Sequence, residues 1–174
     1  MLPARVERRR RAVGGGCRGG GATEPSTAPR PGAARIVVPM SWNDEVIKTF
    51  RESKGTENYW GPKLVVLHTT GAKSGAVRLN PVVGFRNPEG WRVVASKNGD
   101  PDNPGWYHNL KAHPELELEA LEDGEVVTVP VVAHEIPAEE WREAYDAIAA
   151  EEPQFGGYLE KTDRRIPVFQ LTRR

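Results

Sequence analysis

The chain has 174 residues, 24 of them basic and 24 acidic, and a single cysteine, Cys17. That length predicts one domain with a real core, while the lone cysteine excludes a disulfide framework or a cysteine-based zinc site. No apolar run approaches the ~18–20 residues of a membrane span, so a cytoplasmic protein is expected, with peripheral membrane contact left open.

The charge balance hides an asymmetry. Residues 1–39 hold 8 arginines and 2 glutamates, so residues 40–174 carry a net charge of −6. A net acidic body argues against nucleic-acid binding. The first 39 residues are rich in Arg, Gly and Pro and lack apolar periodicity, which predicts a disordered tail. A basic arm for RNA or a membrane surface is the alternative. Met40, where an amphipathic pattern begins, is a candidate natural start.

From there the elements follow in order. Asn43 or Asp44 is positioned to cap a helix through about Arg51, with Trp42, Val46, Ile47 and Phe50 on one face. Lys63 to Thr69 reads as a buried strand that ends in the Gly71–Gly75 turn, with Val77 to Phe85 as its partner. Asn87-Pro-Glu-Gly90 is a turn by composition, and Trp91 to Ser96 a third strand. A loop over 98–104 leads to a short helix, Gly105–Ala112, stopped before Pro114. Glu115 to Ala120 alternates strictly, which places its leucines inward and its glutamates in water. Asp123-Gly124 signals a hairpin returning over Glu125 to Ala133. Ala138 to Glu151 is a helix carrying Trp141, Tyr145 and Ile148 on one face, and Arg165 to Leu171 a closing strand. Hairpin-joined strands with few helices predict an α+β, mainly β fold: an antiparallel barrel or curled sheet with peripheral helices.

Two segments carry the functional signal. Leu67 to Pro81 and Val94 to Leu110 each begin as an apolar strand and break into a small, glycine-bearing turn with a lysine. Such turns let backbone N–H groups approach an anion, and Lys73, Arg78 and Lys97 supply the charge. Trp106, Tyr107 and His108 add flat surfaces suited to a planar ring, although aromatic residues on a short helix also serve as core anchors. Tyr158, in Gln154-Phe-Gly-Gly-Tyr158, either lines a pocket or covers the sheet. Together these features outline a nucleotide-like cofactor. The four histidines show no metal-ligand spacing, and neither a Rossmann fingerprint nor a P-loop is present.

Taken in order, Thr69-Thr-Gly-Ala-Lys-Ser-Gly75, Arg78, Asn80-Pro81, Ala95-Ser-Lys-Asn-Gly99, Pro104-Gly-Trp-Tyr-His-Asn-Leu110, Ala112-His-Pro114 and Thr162-Asp-Arg-Arg-Ile-Pro167 resemble the deazaflavin-dependent nitroreductase family of actinobacteria. The resemblance implies a split β-barrel of the FMN-binding type and use of the 5-deazaflavin coenzyme F420. It implies that Lys73, Ser74 and Arg78 contact the phosphate and acidic tail. Leu79, Asn80, Pro81, Val82 and Val83, with Ala95, Ser96 and Lys97, would lie along the side chain and ring. Trp106, Tyr107 and Asn109 would close over the coenzyme. Tyr158 and Ser96 would be the hydroxyl groups that orient or protonate an acceptor. Two positions depart from the family pattern: Ala72, often basic, and Phe155, tyrosine in some members.

The implied activity is hydride transfer to a small conjugated acceptor of the quinone, enone or nitroaromatic class. The alternatives are an FMN-dependent split-barrel oxidoreductase and an F420-binding carrier without turnover. Whether the protein is a monomer or a homodimer is left open.

Overall fold

The computed structural model describes residues 41–58 and 60–174. The expectations for the tail and for Met40 lie outside these residues. Six antiparallel strands, β1 (Leu64–Thr70), β2 (Val77–Asn87), β3 (Gly90–Val94), β4 (Glu115–Glu122), β5 (Glu125–Glu135) and β6 (Val168–Arg173), close into a barrel in the order β1-β2-β3-β6-β5-β4. Among the described residues four α-helices lie outside or across its end: α1 (Trp42–Glu52), α2 (Gly105–Ala112), α3 (Ala138–Glu151) and α4 (Gln154–Leu159). The expected barrel with peripheral helices is the observed one.

Barrel closure follows from the pairing of β1 with both β2 and β4, which removes the free edges a small sheet would otherwise expose. Strand β1 is apolar without alternation because both its faces are covered. Val65 and Leu67 point into the barrel with Val93, Leu118, Val131 and Leu171. Leu64 and Val66 point outward against Ile47 and Phe50 of α1. Phe50 is fully buried, a burial worth roughly 1.5–3 kcal/mol. On another outer face, Tyr145 and Ile148 of α3 and Phe155 of α4 pack on Phe85, Val94 and Val168. The hairpin between β4 and β5 turns on Asp123 and Gly124, both at positive φ (+51° and +80°), as a two-residue primed turn requires.

Several expectations are corrected. Helix α1 is capped by Ser41: its hydroxyl accepts from Asp44 N–H at 3.2 Å, while the Asp44 carboxylate accepts from Ser41 N–H at 3.0 Å. This reciprocal box satisfies two end groups at once, which a cap at Asn43 or Asp44 would not. The closing strand starts at Val168 rather than Arg165, because Pro167 has no N–H for the ladder and the preceding arginines lie in a loop. Strand β3 ends at Val94 rather than Ser96. Residues 154–159, given no element from the sequence, form a helix with Gly156 and Gly157 inside it.

The glutamates of β4 do not all face water. Glu119 is 4% exposed, since α1 lies over the outer face of the barrel at that point. It receives hydrogen bonds from Arg51 (Nε at 2.8 Å, and a shorter one from Nη2) and pairs with His68 Nε2 at 2.5 Å. Burial pushes the Glu119 carboxyl up. The bonds and charges of Arg51 and His68 outweigh that and hold it below the ordinary range.

Candidate functional site

The turn between β1 and β2 is closed by its own backbone: Gly71 N–H donates to Ala76 O and Gly75 N–H to Gly71 O, both at 2.8 Å. A Cβ on Gly71 would meet Ser74 Oγ at 2.5 Å, so a side chain there would displace that hydroxyl. Helix α2 crosses the same end of the barrel and is bracketed to the turn by Asn109. Its Oδ1 accepts from Ala72 N–H and its Nδ2 donates to Thr69 Oγ1, each at 3.0 Å. Thr69 is fully buried and also receives Asn80 Nδ2 at 3.0 Å. This hydroxyl ties β1, β2 and α2 together.

Between the turn, the start of β2, α2 and the first turn of α1 lies a cavity of about 950 Å³, within the range of small-molecule sites. Lys73, Ser74, Arg78, Leu79, Asn80, Trp106 and Asn109, all expected from the sequence, line it together with Ser41, Asn43, Asp44, Val77, Gly105 and His108. The α1 residues carried no sequence signal for this role, since they lie some thirty residues away and arrive only when α1 docks.

The charge on the wall is cationic. Among the described residues, neither Lys73 nor Arg78 has a side-chain hydrogen bond or ion pair, whereas Lys48, Arg51, Lys54, Lys63, Arg86, Lys97, Lys111, Arg142, Arg173 and Arg174 are all paired with acids. The acid on the same wall, Asp44, is occupied by Ser41 N–H and by its hydroxyl at 2.8 Å. Gly105, the first residue of α2, has open space where a side chain would stand. Two free cations beside an open backbone fit the anionic tail of a cofactor.

The remaining expected residues are placed elsewhere. Trp106 is 8% exposed and, with Tyr107, meets Phe169 edge-on at 6.2 and 5.7 Å between ring centroids. Both rings pack into the barrel core; Trp106 also lines the cavity and Tyr107 does not. Both ends of the Asn109 carboxamide are hydrogen-bonded in the bracket, which ties the turn to α2. Val82 points into the barrel. Val83 faces outward and lines a separate depression of about 280 Å³ with Trp60, Lys63, Glu152 and Gln154. Pro81 is half-buried on β2 and lines neither.

Ala95, Ser96, Lys97 and Tyr158 form a second group. Ala95 and Ser96 are buried. Lys97 is not on the cavity wall with Lys73 and Arg78, for its ammonium lies 3.3 Å from the Asp100 carboxylate. The Asp102 N–H, the Lys97 ammonium and the Arg164 charge together hold Asp100 below the ordinary carboxylate range, against a smaller cost of desolvation. Tyr158 is half-buried, donates to Asn98 Oδ1 at 3.2 Å and packs edge-on against Phe155. Behind it, Tyr145 donates to Phe155 O at 2.8 Å. Burial, with the nearby Tyr158 adding to it and Arg164 opposing, pushes Tyr145 up to about 12. No helix among the described residues is long and apolar enough to cross a membrane.

The closed six-stranded barrel with peripheral helices matches the split-barrel fold of solved F420-dependent reductases. The chain belongs to the F420H(2)-dependent quinone reductase family, whose sequence model matches residues 42–173. An F420H(2)-dependent quinone reductase of Mycobacterium tuberculosis is 40% identical over 115 residues, covering 65% of this chain and 75% of that protein. Among solved structures, an F420-H2 dependent reductase (FDR-A) is 35% identical at a TM-score of 0.54, covering 63% of this chain and 93% of that one. A second, described as a domain-swapped dimer, is 32% identical at a TM-score of 0.56, covering 76% and 99%. The protein is therefore an oxidoreductase that transfers hydride to a small acceptor, and its family uses an F420-type coenzyme. The carrier alternative falls with that assignment.

Proposed function

We propose that this chain binds reduced coenzyme F420 with its phosphate and acidic tail on Lys73 and Arg78, and reduces a conjugated acceptor such as a quinone. The observation that carries the reading is the pair of unpartnered cations on one cavity wall in a net acidic body. Lys73 and Arg78 bind the tail, and the start of α2 and the Lys73 and Ser74 N–H groups of the turn lie beside them, the Gly71, Ala72 and Gly75 N–H groups being spent within the fold. Asn109 and Thr69 hold the backbone of that turn against α2 before any ligand arrives. When bound, the coenzyme supplies two electrons as a hydride. The chain then has to exclude water and place a proton at the acceptor. Ser96 and Tyr158 are the hydroxyl groups proposed for that task, with Tyr158 oriented by its bond to Asn98.

A fluorescence titration of the purified protein with F420 and with FMN tests the reading. Saturable F420 binding that weakens as salt rises, together with oxidation of the reduced coenzyme by a quinone, is the expected result. Tight FMN binding with no response to F420 would replace it with the flavin alternative. Binding to F420 that ignores salt would remove the role given to Lys73 and Arg78.

A further inference from the structure

The loop after β3 has an improbable backbone. Lys97, Asn98 and Gly99 stand in succession at positive φ (+46°, +58° and +85°), a conformation that L side chains rarely adopt and that persists only when its surroundings over-determine it. Within itself the loop supplies two backbone bonds, Gly99 N–H to Ser96 O at 2.9 Å and Asp100 N–H to Lys97 O at 3.1 Å, with the Asp102 N–H bond to Asp100 Oδ1 at 2.8 Å and the exposed Lys97–Asp100 ion pair.

The over-determining group is Arg164, from the far side of α4. Its guanidinium donates from Nε to Asp100 O at 2.8 Å and from Nη1 to Asn103 Oδ1 at 2.7 Å. From Nη2 it donates to both Ala95 O and Ser96 O at 3.0 Å. Every accepting oxygen belongs to the 95–103 loop, and three of the four are backbone carbonyls. A planar fork of five N–H groups can satisfy four acceptors spread over nine residues; a lysine ammonium cannot. Among the described residues no carboxylate lies within ion-pair distance of Arg164, and burial lowers its pKa against the more distant charges of Asp100 and Asp102. The loop is also closed from the other side. A Cβ on Gly99 would meet Lys161 Cβ at 2.9 Å and Tyr158 O at 3.1 Å, and Tyr158 donates to Asn98.

We propose that Arg164 is the positioning residue of the acceptor end of the site: by holding the left-handed 97–99 turn it sets Ser96, and through Asn98 Tyr158, in their places. The proposal rests on the reading of Ser96 and Tyr158 given above. The hydrogen bonds of Arg164 all go to the loop and it does not line the cavity of Lys73 and Arg78, so its effect falls on the rate of hydride transfer and not on capture of the coenzyme tail.

The test compares parent, Arg164→Lys and Asn98→Gly by F420 titration, stopped-flow oxidation of the reduced coenzyme by a quinone, and hydrogen exchange of the coenzyme-free protein. For Arg164→Lys the expected result is F420 affinity within about twofold of the parent, turnover reduced tenfold or more, and faster amide exchange confined to residues 96–103. Asn98→Gly keeps the left-handed backbone but removes the acceptor of the Tyr158 hydroxyl. It should slow turnover several-fold with loop exchange unchanged, and it serves if Arg164→Lys does not fold. Parental turnover in Arg164→Lys overturns the proposal, as does slowed turnover with a quiet loop, which would make the arginine act directly. If Arg164→Lys does not fold, parental turnover in Asn98→Gly overturns it. A parent that neither binds nor oxidises the reduced coenzyme instead sinks the underlying reading, and is recognised without any variant.

Discussion

Charges are treated in opposite ways at two places along β1. On its outer face, Arg51, His68 and Glu119 close a network in which the buried carboxylate is held from two sides beneath α1. At its end, Lys73 and Arg78 stand in a cavity with their charges unanswered by any described residue. The first arrangement holds a helix to a barrel. A buried carboxylate is costly to leave unpaired, so the fold supplies partners. The second leaves exposed cations whose solvation costs little and whose pairing energy is available to a ligand. Removing a charge from the first place should therefore damage stability, and from the second, binding.

The largest effect is expected from Arg51→Ala. Leaving a buried carboxylate with one partner costs ~3–5 kcal/mol. Arg51 is itself 46% exposed, so after solvent screening about 2–3 kcal/mol remains. The melting temperature should fall by about 5–10 °C, and a calorimetric scan checks it. A variant that melts with the parent would show that α1 is held by Ile47 and Phe50 alone.

Next come Lys73→Ala and Arg78→Ala. A hydrogen bond to a charged group is worth roughly 1.5–3 kcal/mol, so each change should weaken F420 binding about tenfold or more. The melting temperature should move by no more than about 2 °C. A large loss of stability with unchanged affinity would reverse the contrast between the two places.

The paired network also predicts a pH dependence. Because the folded-state pKa of Glu119 is depressed, its contribution is fully present above the ordinary value of 4.5 and is lost as pH falls through the folded value. Urea unfolding of the parent and of Glu119→Gln should differ clearly at pH 7, and the gap should narrow below pH 4.5. A gap of constant size across that range would assign the difference to packing.

The smallest effect sharpens the second place. In Gly71→Ala the new methyl displaces the Ser74 hydroxyl, which now accepts from Ala76 N–H at 3.3 Å. One ordinary hydrogen bond is worth about 0.5–1.5 kcal/mol, and the hydroxyl can rotate, so affinity for F420 should drop only about threefold. A loss as large as that of Lys73→Ala would make the shape of the turn, rather than its charge, the determinant of binding.

Much of this architecture is legible in the residues. Gly105–Ala112 and Ala138–Glu151 are helices with the expected bounds, since Pro114 and Pro153 forbid continuation and the apolar spacing is helical. Asp123-Gly124 turns a hairpin because both positions take positive φ cheaply. Lys73, Ser74, Arg78 and Asn80 share one cavity, as the crowding of charge and glycine around a strand end suggested. These are local facts, set by backbone freedom and side-chain chemistry within a few residues.

Other features depend on groups far apart in sequence. Strict alternation in β4 says only that Glu119 leaves the barrel interior; whether the outside is water or α1 depends on a helix 68 residues away. Trp106 and Tyr107 have the same chemistry as stacking platforms or as core anchors, and only the fold shows both packed against Phe169, with Trp106 on the cavity wall as well. Lys97 resembles Lys73 in its turn, yet Asp100 claims its charge. Arg164 has no local sign of its task, because its acceptors are mostly main-chain carbonyls, and main-chain carbonyls have no letter in the sequence. Residue identity thus determined which groups were available for chemistry. The closing of the barrel decided which of them were spent inside the fold and which were left for a ligand, because pairing depends on distance in space.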